Sequence, residues 1–152
     1  LNDVDCTQRQ QTLDSFAQRW QSDTLVMDKW FALQARARTE DALQVVKGLM
    51  QHEAFALTNP NKVRALIGSF SMANPTTFHA KDGSGYRFLA DQVIALNAIN
   101  PQVAARLIKP LISWHKYDHQ RQALMRAELR RILDTKGLSS DVFELVDRGL
   151  AE

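Results

Sequence analysis

The sequence predicts an all-α fold: about eight helices packed as successive antiparallel pairs, forming an irregular, solenoid-like superhelical bundle. Three observations lead there. Apolar residues recur at helical spacing along nearly the whole chain, no stretch keeps a strict two-residue alternation, and the stretches are joined by short connections.

Over residues 24–38, Val26, Trp30, Leu33 and Ala37 repeat at steps of four, three and four, which marks one apolar stripe. Leu43, Val46, Leu49 and Met50 form the next, followed by Val63, Leu66, Ile67 and Phe70. Leu89, Val93 and Leu96 come after these, then Val103 and Leu107. Met125, Leu129, Ile132 and Leu133 precede the last stripe of Val142, Leu145, Val146 and Leu150. Trp20, Trp30 and Trp114, with Phe16, Phe31, Phe70 and Phe88, are expected in the core.

The punctuation agrees. Asn59-Pro60 and Asn100-Pro101 read as helix starts, because Asn can cap orphan amides and Pro suits the first helical position. Asp118 and Ser139 or Ser140 read as caps of the last two helices. Asn74 ahead of Pro75 should close a helix, and Pro110 should kink or split one. Residues 76–86 break the rhythm. Two glycines and Asp82 predict a structured turn there and no helix.

A chain of 152 residues fits one helical domain, 1–152, with its own core. Its 45% apolar and 24% charged content argues against disorder. A net charge of +2, from 19 basic and 17 acidic residues, argues against a nucleic-acid partner. No apolar run approaches the ~20 residues of a membrane-spanning helix. The start, Leu1 onward, has neither a basic nor an apolar block of a signal peptide and lacks an initiator Met. The chain is therefore expected to be a piece of a longer protein of intracellular type. A lone Cys6 permits no internal disulfide and no Cys-based zinc site.

Catalytic and metal motifs fail one by one. His52-Glu53 resembles the opening of a zinc-protease motif, but Ala56 occupies the position of the second His. His115 and His119 have helical spacing, yet no Glu follows the first, and Asp118 begins a new helix between them. The 82–85 turn has neither the strand nor the Lys of a phosphate loop, and Ser84 lacks a nucleophile elbow. No catalytic residue and no metal ligand is expected in this chain. Two polar stripes remain open between a solvated face and a binding surface. Gln102, Arg106 and Lys109 share one helical face, and Arg64, Gly68 and Ser71 share another.

Four motifs then carry a resemblance. They are Gln-Arg-Trp at 18–20 with Leu-Val-Met-Asp-Lys-Trp-Phe at 25–31, Asn-Pro-Asn-Lys-Val-Arg-Ala-Leu-Ile-Gly at 59–68, Phe-His-Ala-Lys-Asp-Gly-Ser-Gly-Tyr at 78–86, and Asn-Pro-Gln-Val-Ala-Ala-Arg-Leu at 100–107. In order and spacing, over nearly the whole chain, they resemble the C-terminal helical domain of the bacterial aminopeptidase N family of zinc-dependent gluzincins.

The resemblance implies a parent enzyme that removes N-terminal amino acids from peptides. Its zinc ligands, substrate-amine loop and oxyanion Tyr would lie in a separate catalytic domain, and none of those motifs is in this chain. The helical domain would pack on the catalytic domain of the same polypeptide and close a chamber over the active site. Carried over by motif, Gln102 and Arg106 would line the primed-side subsite and Arg64 the chamber wall. They would draw the carboxylate or the carbonyls of a peptide substrate. The competing expectation is a stand-alone helical repeat module that binds a protein partner. A DNA-binding helix over 121–131 has the charges, but it also carries a full apolar stripe.

Overall fold

The computed structural model describes residues 7–20 and 23–151, so Cys6 and the start at Leu1 lie outside the described residues. Every element among the described residues is helical, as the periodicity requires. Among the described residues eleven α-helical segments replace the expected eight or so, because a π-helical turn splits one stretch, Pro110 splits another, and a one-turn helix opens at Pro75. The chain forms two compact units, Leu1–Thr77 and Phe78–Glu152.

In the first unit, α1 (Thr7–Trp20), α2 (Thr24–Ala35) and α3 (Ala42–Leu49) precede a continuous helical stretch. That stretch runs from α4 (Pro60–Val63) through a π-helical turn (Arg64–Gly68) into α5 (Ser69–Ala73). Asp23 caps α2 by accepting from the Val26 amide at 3.2 Å, and Asn59 caps α4 by accepting from Asn61 at 3.0 Å. The stripe expected over 24–38 holds in part: Trp30 and Ala37 are buried and Val26 is half-buried, but Leu33 is not in it. Met27, Trp30, Phe31, Gln34 and Ala35 are buried, while Leu33 is 44% exposed and the helix stops at Ala35. The larger side chains set the phase, since the same spacing can be drawn through either set.

Phe16 and Trp20 depart from expectation too, being 39% and 38% exposed. On α1 the buried line is Arg9, Leu13 and Ala17, which leaves both aromatic rings at its flank. Leu13 also supplies the carbonyl that accepts from Trp30 Nε1 at 2.9 Å.

Two polar side chains tie this unit together from within. Lys62 is buried, and its ammonium donates to Asp28 at 2.6 Å and to the Thr24 carbonyl at 2.9 Å. Removing one partner of a buried pair costs more than the pair contributes, because the other charge is left desolvated. Asn74, also buried, donates from Nδ2 to the carbonyls of Ala35 and Ala37 at 2.9 and 2.8 Å. The residue that Pro75 forces out of helical geometry thus satisfies the orphan carbonyls at the end of α2.

The one-turn α6 (Pro75–Phe78) spans the point in sequence where the first unit ends. After it come α7 (Ser84–Ile99), α8 (Pro101–Leu107), α9 (Lys109–Ile112), a 3-10 turn (Ser113–Lys116), α10 (His119–Leu133) and α11 (Ser140–Ala151). The non-helical turn expected over 76–86 is therefore shorter. Helix occupies both of its ends, because Pro75 opens α6 and Asp82 holds the Ser84 amide at 2.9 Å at the start of α7. Pro110 does split its helix, with α8 ending at Leu107 and Pro110 in the first turn of α9. Asp118 and Ser139 cap α10 and α11, accepting from Arg121 at 3.1 Å and from Val142 at 3.3 Å.

The path of α11 is fixed at both ends. Near its start, Asn97 on α7 donates to the Gly137 carbonyl at 3.0 Å and accepts from the Ser139 amide at 2.9 Å. Near its end, Trp114 Nε1 donates to the Gly149 carbonyl at 3.0 Å, and Gly149 lies against Ile112. Asn97 comes just before α8, and Ile112 ends α9. The start of α11 is therefore beside the start of α8, and the two helices run in the same direction.

Gly85 sits where a Cβ would overlap the Phe78 carbonyl oxygen, which is backbone and cannot swing away. Gly85→Ala should destabilise the chain by about 3 kcal/mol or more, as overpacking against a fixed wall does. Urea unfolding should show an earlier midpoint at an unchanged slope.

Candidate functional site

Asn100 caps α8 by accepting from the Val103 amide at 3.3 Å, and Pro101 begins the helix. The buried face of α8 is Ala104 and Leu107, continued by Ile108, with Val103 only half-buried. Gln102 and Arg106 fall on the opposite, exposed side, where helical spacing puts them together. On α11, Val142, Val146 and Gly149 are buried. Asp141, Glu144 and Arg148 are exposed at steps of three and four, and Leu145 is half-buried.

These two faces meet in an open groove of about 450 Å³. Its α8 wall is Gln102, Ala105 and Arg106, and its α11 wall is Asp141, Glu144, Leu145 and Arg148. Two guanidiniums and two carboxylates therefore share one concavity. Among the described residues, neither arginine comes within 4.0 Å of either carboxylate, so all four charges keep their bonding capacity for something else. Lys109, the third member of the expected stripe, is exposed but lies off the groove lining.

Gln102 and Arg106 are thus brought to one surface. Arg64 belongs to the first unit, where it is exposed at the first position of the π-helical turn. Its Nη1 donates to Asn61 Oδ1 at 3.5 Å. Gly68 and Ser71, expected on the same face as Arg64, are buried, and the Arg64 side chain lies against Gly68. The π turn had no visible signal in the sequence. The α11 wall did have one, the spacing of Asp141, Glu144 and Arg148, but a solvated face reads the same way.

A second polar cluster holds the 79–83 turn. His79 Nδ1 shares a hydrogen bond with the Tyr86 hydroxyl at 2.7 Å, and its ring stacks on Tyr117 with centroids 4.3 Å apart. Arg121 donates from Nε to the His79 carbonyl at 2.8 Å and pairs with Asp118 at 2.8 Å. Burial lowers the pKa of His79, helped by the positive Arg121, and burial pushes the Tyr86 hydroxyl up to about 12. These groups bond to each other and fasten the turn to α7 and α10.

His52 is also structural, its Nδ1 accepting from the Ala54 amide at 3.0 Å and its ring resting on Trp30 and Phe31. Among the described residues no three His, Cys, Asp or Glu side chains form a group that could hold a metal ion. Nor is any helix among them long and apolar enough to cross a membrane.

A chain whose described residues form stacked short helices throughout belongs to the class of helical-repeat proteins. More specifically, the chain belongs to the family described as a domain of unknown function with ARM repeats, DUF3458_C, which matches residues 1–151. It is 51% identical over 138 residues to aminopeptidase N of Haemophilus influenzae, covering 91% of this chain and 16% of that protein. Aminopeptidase N of Escherichia coli is 46% identical over 143 residues, covering 94% and 16%. Among solved structures, aminopeptidase A of Legionella pneumophila in complex with aspartic acid superposes with a TM-score of 0.93 at 40% identity. That match covers 98% of this chain and 17% of the other. The chain thus spans about a sixth of the length of these relatives. The resemblance to the C-terminal helical domain of bacterial aminopeptidase N, read from four motifs, holds.

The lowered pKa of His79 sets a pH dependence. The unfolded chain takes up a proton near pH 6.5, before the folded one does, so stability is fully present above that pH. It should decline as pH falls from 6.5 toward the lower folded value. A denaturation series at pH 7 and pH 5 should show this loss, and NMR should find the His79 midpoint below 6.5.

Proposed function

We propose that this chain is the C-terminal capping domain of a zinc metallo-aminopeptidase that removes N-terminal amino acids from peptides. The observation that supports it most directly is the groove. Gln102 and Arg106, which the family motif assigns to substrate, share one concave surface with free hydrogen-bonding capacity. Relatives named aminopeptidase match nearly all of the chain while it spans only 16% of their length, which leaves ample polypeptide for a catalytic domain.

In this reading the zinc and the residues that activate water belong to that other domain. The chain alone neither holds the metal nor hydrolyses a substrate. Its own contribution is electrostatic. Arg106 offers a charge-assisted contact to a peptide carboxylate or carbonyl on the primed side, Gln102 adds amide hydrogen bonds, and Arg64 draws peptide from the chamber wall. The protein acts in the cytoplasm, with the catalytic domain of its own polypeptide and peptide substrates as its partners. Nothing in the groove favours a protein partner over a peptide.

Arg106→Ala in the full-length enzyme should raise KM for longer peptides, by about 1–3 kcal/mol or roughly five- to a hundredfold. KM for a single-residue chromogenic amide should hardly move, because that substrate has no primed-side residues. Equal losses on both substrates would return Arg106 to an ordinary solvated position.

A further inference from the structure

The wall that α11 contributes to the groove is not accounted for by Gln102 and Arg106. Because α8 and α11 run in the same direction, from the Asn97–Ser139 contact at one end to the Ile112–Gly149 contact at the other, the charges along the groove have an order. At the start lie Gln102 and Asp141, with Glu144 one turn further on. Arg106 follows on the facing helix, and Arg148 closes the far end. The groove is thus negative at one end and positive at the other.

Asp141 and Arg148 are seven residues apart on one helix, or about 10 Å along its axis at ~1.5 Å per residue. An extended peptide covers that distance in about three residues, at ~3.3–3.6 Å each. Asp141 and Arg148 also suit their own ends of the α11 dipole. That preference says nothing of Arg106, which lies on the other helix and strengthens the same positive end.

We infer that the α8/α11 groove is a charge-graded cradle for a short zwitterionic peptide of about three residues. The peptide carboxylate lies between Arg106 and Arg148, and its ammonium lies at Asp141 and Glu144. This rests on the peptide-binding reading above and adds to it a direction, a length and three residues of α11. The ligand class is a free oligopeptide with both termini unblocked, such as the shortened product of N-terminal cleavage. Arg148 and Asp141 set specificity and take no part in bond breaking.

The test is an NMR titration of the 152-residue chain with tri-alanine, N-acetyl-tri-alanine and tri-alanine amide. Tri-alanine should shift amide signals on α8 and α11, and blocking either terminus should weaken binding about tenfold. Arg148→Gln should remove the preference for the free carboxylate and keep the preference for the free ammonium. Asp141→Asn should do the reverse. Both positions are exposed, and unchanged circular dichroism would show that the variants fold. Equal binding of all three peptides overturns the inference, as does the absence of any shift on α8 and α11, or an Arg148→Gln variant that binds like the unmodified chain. If Arg106→Ala still impairs peptide turnover in the full-length enzyme when Arg148→Gln is silent, the charge-graded cradle falls and the capping-domain reading stands. If tri-alanine binds as expected but Arg106→Ala leaves turnover intact, the cradle stands and the capping-domain reading falls.

Discussion

One side chain joins segments that lie forty residues apart in the second unit. Asn97 donates from its amide nitrogen to the Gly137 carbonyl and accepts at its amide oxygen from the Ser139 amide, so both polar ends of one Asn are used on the loop before α11. Ser139 is in turn the cap of α11. The helix therefore begins at a place dictated by α7, and α7 leads through Asn100 directly into α8. Buried or half-buried amides tolerate little change, since a lost partner leaves a desolvated group behind. The groove walls inherit their alignment from this contact, with Trp114 and Gly149 fixing the other end.

The groove is an unusual use of a helix pair. Its buried faces are ordinary, with Ala104 and Leu107 on one side and Val142 and Val146 on the other. Gly149 lies against Ile112 of α9, while long charged side chains flank the groove. Exposed Arg and Glu side chains gain little from pairing with one another. Here the ion pairs lie elsewhere, on Arg121 with Asp118 and on Arg131 with Asp91 and Glu128. In the groove no guanidinium comes within 4.0 Å of a carboxylate.

Much of this was legible in the sequence where one residue type has one local use. Asn before Pro marked the starts of α4 and α8, Asp118 and Ser139 marked caps, and Pro110 marked a break, because each acts on backbone within a few residues. The errors fall where a choice depends on distant atoms. The phase of α2 was settled by how Met27, Trp30 and Phe31 pack, and the exposure of Phe16 and Trp20 by the narrow buried line of α1. The extent of the turn before α7 depended on a contact between Gly85 and Phe78. Gln102 and Arg106 were visible through helical spacing and family motif together. Their partners on α11 were not, because facing helices leave no mark in either sequence until the loop joining them is placed.

The most direct measurement is a crystal structure of the chain with tri-alanine bound. The account predicts the peptide extended along α8 and α11, its carboxylate within hydrogen-bond distance of Arg106 and Arg148 and its ammonium beside Asp141. A peptide bound in the opposite direction, or on another surface with the groove left to solvent, would contradict it.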